Sequence, residues 1–263
     1  MKKYLYIFKS ELMTNLQYIF NIVMGFIVIL VMLFIFVNLW KYIYSDPNEL
    51  ISGYSMNQMI WYVFITEVLW GTISGRKYSK KICNDVKSGN IAYNINKPYS
   101  YIGYCLSSQL GDAIVRFVMY IIISMVAGFL LIGSFPKLTI ISILAVITTS
   151  LLATVISTLL ITAIAFFSFF VEDASPFYWI YSKMILVIGT IFPLEVFPLA
   201  IQPIIKYSPI YVVSYGPAKL FVDYSNSAFI SIIIAQLLYL IGSYLICLLI
   251  YKKGVRKLNV NGG

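Results

Sequence analysis

Between Lys137 and Glu172 the chain runs for 34 residues without a charged side chain. As one straight helix that stretch, Leu138 to Val171, would rise roughly 51 Å, whereas the hydrocarbon core of a bilayer is about 30 Å thick. It must therefore tilt, kink or protrude. The alternative, a buried helix in a large soluble domain, needs polar surface elsewhere to dissolve the molecule. With 60% hydrophobic and only 11% charged residues, the chain does not supply that surface. It reads as an all-α integral membrane protein, a single domain over residues 1–263.

Six segments are apolar enough to count as transmembrane helices: about 18–40, 57–73, 115–132, 138–170, 177–191 and 229–251. The second and fifth are short and interrupted. The start, Met1-Lys2-Lys3, resembles a signal-peptide n-region, but Lys9 and Glu11 interrupt the residues after it and no small-residue cleavage site succeeds the first apolar run. That run reads as a retained span.

The net charge of +9 matters through its placement. Basic residues gather at the amino terminus (Lys2, Lys3, Lys9), between spans two and three (Arg76, Lys77, Lys80, Lys81, Lys87, Lys97) and in the tail (Lys252, Lys253, Arg256, Lys257). With six spans these segments share one side, and the opposite loops carry only Lys41, Lys137, Lys206 and Lys219. The positive-inside rule then puts both termini in the cytoplasm of a multi-pass cell-membrane protein. Because the basic residues follow topology, they argue for contact with membrane lipid and against a nucleic-acid partner.

Three regions outside the spans are organised. Tyr4, Leu5, Phe8, Leu12 and Leu16 recur at helical spacing and predict an N-terminal amphipathic helix on the inner membrane face. Periodicity alone fits a cytoplasmic extension of the first span equally well. Between spans two and three, Arg76 to Ser88 predicts a basic helix carrying Ile82 and Val86, stopped at Gly89. Asn90 to Asn96 then alternates loosely up to Lys97-Pro98, where the next helix can start with proline in its first turn. Finally, five of the nine prolines (Pro193, Pro198, Pro203, Pro209, Pro217) fall between residues 192 and 221. They cut an apolar stretch into pieces too short to span, which predicts broken interfacial or re-entrant helices sheltered by protein.

Several chemistries are missing. With no histidine there is neither a His-Glu-x-x-His zinc site nor a Ser-His-Asp arrangement, so no catalytic or metal residues are assigned. Cys83, Cys105 and Cys247 have no metal-like spacing, and structural disulfides are not expected. No Gly-x-x-x-x-Gly-Lys-Ser/Thr run exists.

In this order of parts the chain resembles the permease subunits of bacterial ATP-binding-cassette exporters of the type-2 class. Two patches are similar in sequence: Asp85-Val86-Lys87-Ser88-Gly89-Asn90-Ile91 with Asn94-Ile95-Asn96-Lys97-Pro98, and Phe192-Pro193-Leu194-Glu195-Val196-Phe197-Pro198 with Tyr207-Ser208-Pro209-Ile210 and Tyr215-Gly216-Pro217-Ala218. The resemblance implies a transport subunit, not an enzyme. ATP and Mg would bind a separate cytoplasmic ATPase subunit, present in two copies, and a second permease chain, identical or paralogous, would complete the pathway. The implied activity is export of a hydrophobic or amphipathic molecule such as a drug, peptide antibiotic or lipid-linked species. It places the ATPase coupling contact on Lys80, Lys81, Ile82, Val86, Lys87, Gly89, Asn90, Ile91, Lys97 and Pro98. An ATP-independent channel or proton-driven carrier also accommodates the charges in or near spans, and a non-transporting membrane sensor or immunity protein fits the same composition.

Glu67 and Lys183 are the deepest of those charges. Glu67 lies nine residues before Arg76 and Lys183 nine after Ala174, so each sits about 13 Å along its helix from the inner end. An unpaired charge at such a depth costs at least ~2.5 kcal/mol. An intramembrane pair, or a shared polar cavity, is therefore expected of them.

Overall fold

The computed structural model describes residues 2–46 and 48–257. All regular structure in them is helical, apart from an isolated bridge between Ile51 and Tyr54. The α-helices, in chain order, are α1 (Lys2–Gln17), α2 (Ile19–Ile43), α3 (Met56–Thr72), α4 (Gly75–Lys87), α5 (Asn90–Ile95), α6 (Tyr101–Ile132), α7 (Ile140–Ala165), α8 (Ser175–Met184), α9 (Gln202–Lys206), α10 (Gly216–Val222) and α11 (Asn226–Val255). Among the described residues, four helical stretches are long and apolar enough to cross a membrane: Ile22–Ile43 in α2, α6, α7 with its extension to Phe169, and α11. The protein is thus a multi-pass membrane protein. The second and fifth predicted spans are shorter; α3, and α8 with its continuation to Ile191, each comprise 17 residues.

Helix ends reflect local chemistry. Ser55 and Gln58 form a reciprocal capping box at the start of α3, and Thr139 and Ser142 do the same for α7. Ser100 and Ser225 cap α6 and α11. Gly89 and Gly133, both at positive φ, terminate α4 and α6, as a residue without a Cβ does at low cost.

Burial explains why the short α3 persists. It runs through the centre of the bundle with Met59 to Leu69 buried, packed on α2, α6 and α10. Trp61 stacks on Phe135 and its indole N–H donates to the carbonyl of Ser134 at 2.8 Å. By contrast α2, α7 and α11 each leave an apolar face exposed, including Ile27, Val31, Ile140, Leu144, Leu238 and Ile241. Such faces suit lipid, where apolar exposure costs nothing.

Two local expectations need correction. The segment read as alternating is helical, Asn90–Ile95 forming α5 with its Ile91 buried. Pro98 lies ahead of the Ser100 cap instead of inside the first turn, because the serine oxygen accepts from the Gly103 N–H and so sets the helix start. The helix expected to start near Pro98 and run into the third apolar segment is α6, which begins at Tyr101 and carries polar Gln109, Asp112 and Arg116. That length, roughly 48 Å, exceeds the apolar layer.

The extra length of α6 has a partner. α1 docks along its first half, where Tyr4 accepts from the Ser100 N–H at 2.9 Å and Lys3 donates to the Pro98 carbonyl. A Cβ on Gly103 would meet the Tyr4 ring, and one on Gly111 would lie 2.5 Å from the Phe8 carbonyl oxygen. The glycines on α6 let α1 approach.

Candidate functional site

α4 has two faces. Ile82, Val86 and Ile91 are buried, with Tyr78 and Cys83, against α6, α7 and the tight turn Phe166–Phe169. The Tyr78 hydroxyl pairs with Thr162 Oγ1 at 2.7 Å, and Tyr101 donates to Asp85 at 2.7 Å. Burial pushes the Tyr78 hydroxyl and the Cys83 thiol above their ordinary pKa values. Ile82, Val86 and Ile91, expected from sequence among the coupling residues, form the buried apolar base that fixes the element to the bundle. Apolar residues four apart on a basic helix mark the face that packs.

The other face carries Lys80, Lys87, Gly89 and Asn90, all exposed, and adds Tyr93, which is 70% exposed. Lys97 is partly buried, its Nζ 4.3 Å from the Tyr93 ring centre and 3.3 Å from Asn94 Oδ1. Lys81 is exposed, with its Nζ 5.6 Å from the Tyr104 ring centre. Burial works against its charge, yet the electrostatics of Tyr104 and Glu11 outweigh it and its pKa is raised. Pro98 is exposed beside α1. Lys87 reaches Asp173 at 3.9 Å, and the Ser175 N–H holds that carboxyl below the usual range. Tyr93 escaped the sequence reading because an aromatic in an apolar-rich chain looks like core.

α4 also connects to the interior. It starts at Gly75, three residues after the Thr72 that ends α3, and a Cβ there would meet the Tyr178 hydroxyl of α8. Gly75, Tyr178 and Ile73 line one end of a crevice between α3, α7 and α8, continued by Thr66, Trp70, Ser157 and Ser214. At about 30 Å³ it is far below the ~300 Å³ at which drug-sized ligands are held.

Beside the crevice the backbone leaves α geometry twice. α8 continues as a π-helical stretch over Ile185–Ile191, and another, Tyr211–Tyr215, runs into α10. Both lie near prolines that remove a donor. Gly189 would receive the N–H of residue 193 in an α ladder, but that residue is proline. Its carbonyl instead accepts from Tyr62 (2.8 Å) and Ser214 (2.7 Å), while the next carbonyl, of Thr190, accepts from Thr66 (3.1 Å). Val212 would receive residue 217 in a π ladder, again proline. Its carbonyl accepts from Gln236 Nε2 of α11 at 2.9 Å. Sequence reasoning missed Gln236, fully buried; the available signal was a lone amide in an apolar span facing a proline-broken segment.

Glu67 and Lys183 do not meet. Glu67 is 3% exposed and shares a helix face with Gly71, which abuts Ile29 and Tyr120. Lys183 is exposed on α8, its Nζ 5.9 Å from the Trp179 ring centre. Among the described residues no ion pair joins them. Equal depth along two helices fixes height but not facing direction, which is why the expected pair fails. The pair that does form in this part of the bundle is Asp112–Arg116, at 2.9 Å within α6, with Ser74 donating to the same carboxylate. All three cysteines are free and buried.

The sequence profile of a family described as ABC-2 family transporter protein matches residues 26–262. No individual curated protein matches the chain.

Proposed function

This chain belongs to the ABC-2 family of transporter proteins, hence to the membrane subunits of ATP-binding-cassette systems, and from that premise we propose that it is an exporter permease driven by a separate ATPase. The membrane subunit is not itself catalytic, and family membership implies the ATPase partner. In our reading α3 and the α8 segment complete six crossings, α1, α4 and α5 lie on the cytoplasmic side, and both termini are cytoplasmic in the cell membrane. Two ATPase copies and a second permease, identical or paralogous, make up the working complex. ATP and Mg bind only the partner.

The observation that carries the reading is the two-faced α4–α5 element. A polar rim (Lys80, Lys87, Asn90, Tyr93) sits on a buried apolar base, and its first residue borders the interior crevice. A force on that rim is transmitted through Gly75 to α3 and α8 because a closely packed interior does not absorb displacement. The crevice is too small for cargo in this conformation. Cargo of hydrophobic or amphipathic character therefore requires α3 and α8 to part, or to be joined by a second copy. Residues such as Trp70, Tyr178 and Tyr181 would supply the apolar lining.

The test is co-purification with the cognate ATPase. Tyr93→Ala with Lys80→Gln should leave the permease folded and inserted but lower ATPase retention at least tenfold, whereas Val86→Asp should reduce the yield of folded permease itself. Undiminished retention and transport-linked ATP hydrolysis in the rim variant would overturn the reading. Cargo movement in liposomes without any ATPase would replace it with an ATP-independent carrier.

A further inference from the structure

By sequence Lys206 belongs to an outer loop, but two hydrogen bonds draw that loop down into the bundle. Tyr239 of α11 donates to the Tyr207 carbonyl at 2.5 Å, and Gln236 of α11 donates to the Val212 carbonyl at 2.9 Å. Tyr239 stands thirteen positions after the Asn226 that opens the 30-residue α11, about 20 Å along a helix of about 45 Å. The end of α9 therefore lies beside the middle of a span, and Lys206, the neighbour of Tyr207, sits at the level of the ~30 Å apolar layer that α11 crosses. Ionisable side chains are retained at such depth where a counter-charge or a polar cavity receives them.

A cavity receives this one. Lys206 lines a space of about 500 Å³ together with Glu195, Leu199, Gln202, Tyr207 and Tyr211. Unlike the crevice, that volume falls in the ~300–1,000 Å³ range of small-molecule sites. The other polar groups of its wall are engaged. Gln202 Nε2 donates to the Phe197 carbonyl at 2.8 Å. Glu195 accepts from the Tyr215 hydroxyl at 2.5 Å and lies 3.6 Å from Lys219 Nζ, while its second oxygen is buried. Lys206 is exposed, and among the described residues no hydrogen bond, ion pair or ring contact engages its ammonium. Leu199 and Tyr207, which line the same cavity, are 82% and 80% exposed. One unmatched cation among exposed apolar and aromatic side chains, at membrane depth, fits an anionic head group that carries a hydrocarbon chain. A free anion would leave Leu199 and Tyr207 uncovered, and a cationic amphiphile would meet a like charge.

We propose that the cavity between α9 and the Glu195 turn is a binding site for an acidic amphiphile, with Lys206 as counter-ion to its head group and Leu199 and Tyr207 against its chain. Taken with the exporter reading, on which this step rests, the site names the cargo class and holds cargo on the outer half of its route. Binding is read on the permease alone, without ATPase. Its failure strikes this site and leaves the exporter reading standing, whereas the rim variants test that reading separately.

The experiment offers the full-length permease, delipidated in a neutral detergent, dodecyl phosphate, dodecyltrimethylammonium or inorganic phosphate, and reads bound ligand by native mass spectrometry. Dodecyl phosphate should be retained and the other two should not. Lys206→Gln should weaken its binding about tenfold, the factor expected for one hydrogen bond to a charged group. Lys206→Arg should preserve it, and Leu199→Asn, at an exposed position, should weaken it. Lys253→Gln, the same charge loss in the tail, should leave it unchanged. Equal binding by the Lys206→Gln and Lys253→Gln variants overturns the site. Dodecyltrimethylammonium or inorganic phosphate bound as tightly as dodecyl phosphate overturns the ligand class. In the complex with its ATPase, ATP should release the bound dodecyl phosphate, and retention unchanged by ATP overturns the assignment as cargo.

Discussion

The Gly189 carbonyl offers a test of how the irregular backbone beside the crevice is held. Its α-ladder donor is absent because residue 193 is proline, and two hydroxyls from different elements, Tyr62 on α3 and Ser214 in the second π-helical stretch, converge on it. Tyr62→Phe or Ser214→Ala removes one of them and leaves the oxygen with the other. Each single change should cost about 0.6 kcal/mol, the mean for a hydrogen bond between membrane helices. The double variant leaves a buried carbonyl without either hydroxyl, and the penalty for an unsatisfied buried group is about 1–3 kcal/mol on top of the lost bonds. The double should therefore destabilise by about 2–4 kcal/mol, more than the ~1.2 kcal/mol sum of the singles. Both substitutions are close in volume, so cavity effects are small. Reversible unfolding in mixed detergent micelles of the four proteins completes the cycle. Additive losses would show that the two hydroxyls act independently and that the proline-orphaned carbonyl is not what they serve.

Packing and burial set two further outcomes. Gly111→Val should displace α1 from α6 at a cost of about 1–3 kcal/mol, because the Phe8 carbonyl cannot yield as a flexible side chain would, and limited proteolysis after α1 should accelerate while α11 stays protected. Cys83, buried with its thiol pKa pushed up, carries less thiolate at a given pH than an exposed cysteine, so maleimide should modify it at least ~10-fold more slowly at pH 7.5 than a cysteine introduced at Lys80, the gap narrowing as pH rises. Equal rates at pH 7.5 would contradict its burial.

What the sequence determines here is set by the solvent. Long charge-free runs can be satisfied only as helices in lipid, so the all-helical architecture, the long helix after Lys137, the basic clusters, the Gly89 stop and the proline-cut segment after residue 192 were all legible from composition and period. The same uniform hydrophobicity hid which face of each helix packs. Where nearly every residue is apolar, periodicity carries little direction, and α3 looked like a weak span although it runs buried through the centre of the bundle. Residue type could not show that Ile91 turns inward while Tyr93 turns out, or that Glu67 and Lys183 share a depth without sharing a face. Nor could it show that Gln236 and Tyr62 reach carbonyls that prolines leave without donors. Those are contacts between residues 24 to 127 positions apart. They exist only once the helices are rotated and docked, because in the unfolded chain no local propensity brings such groups within hydrogen-bonding distance.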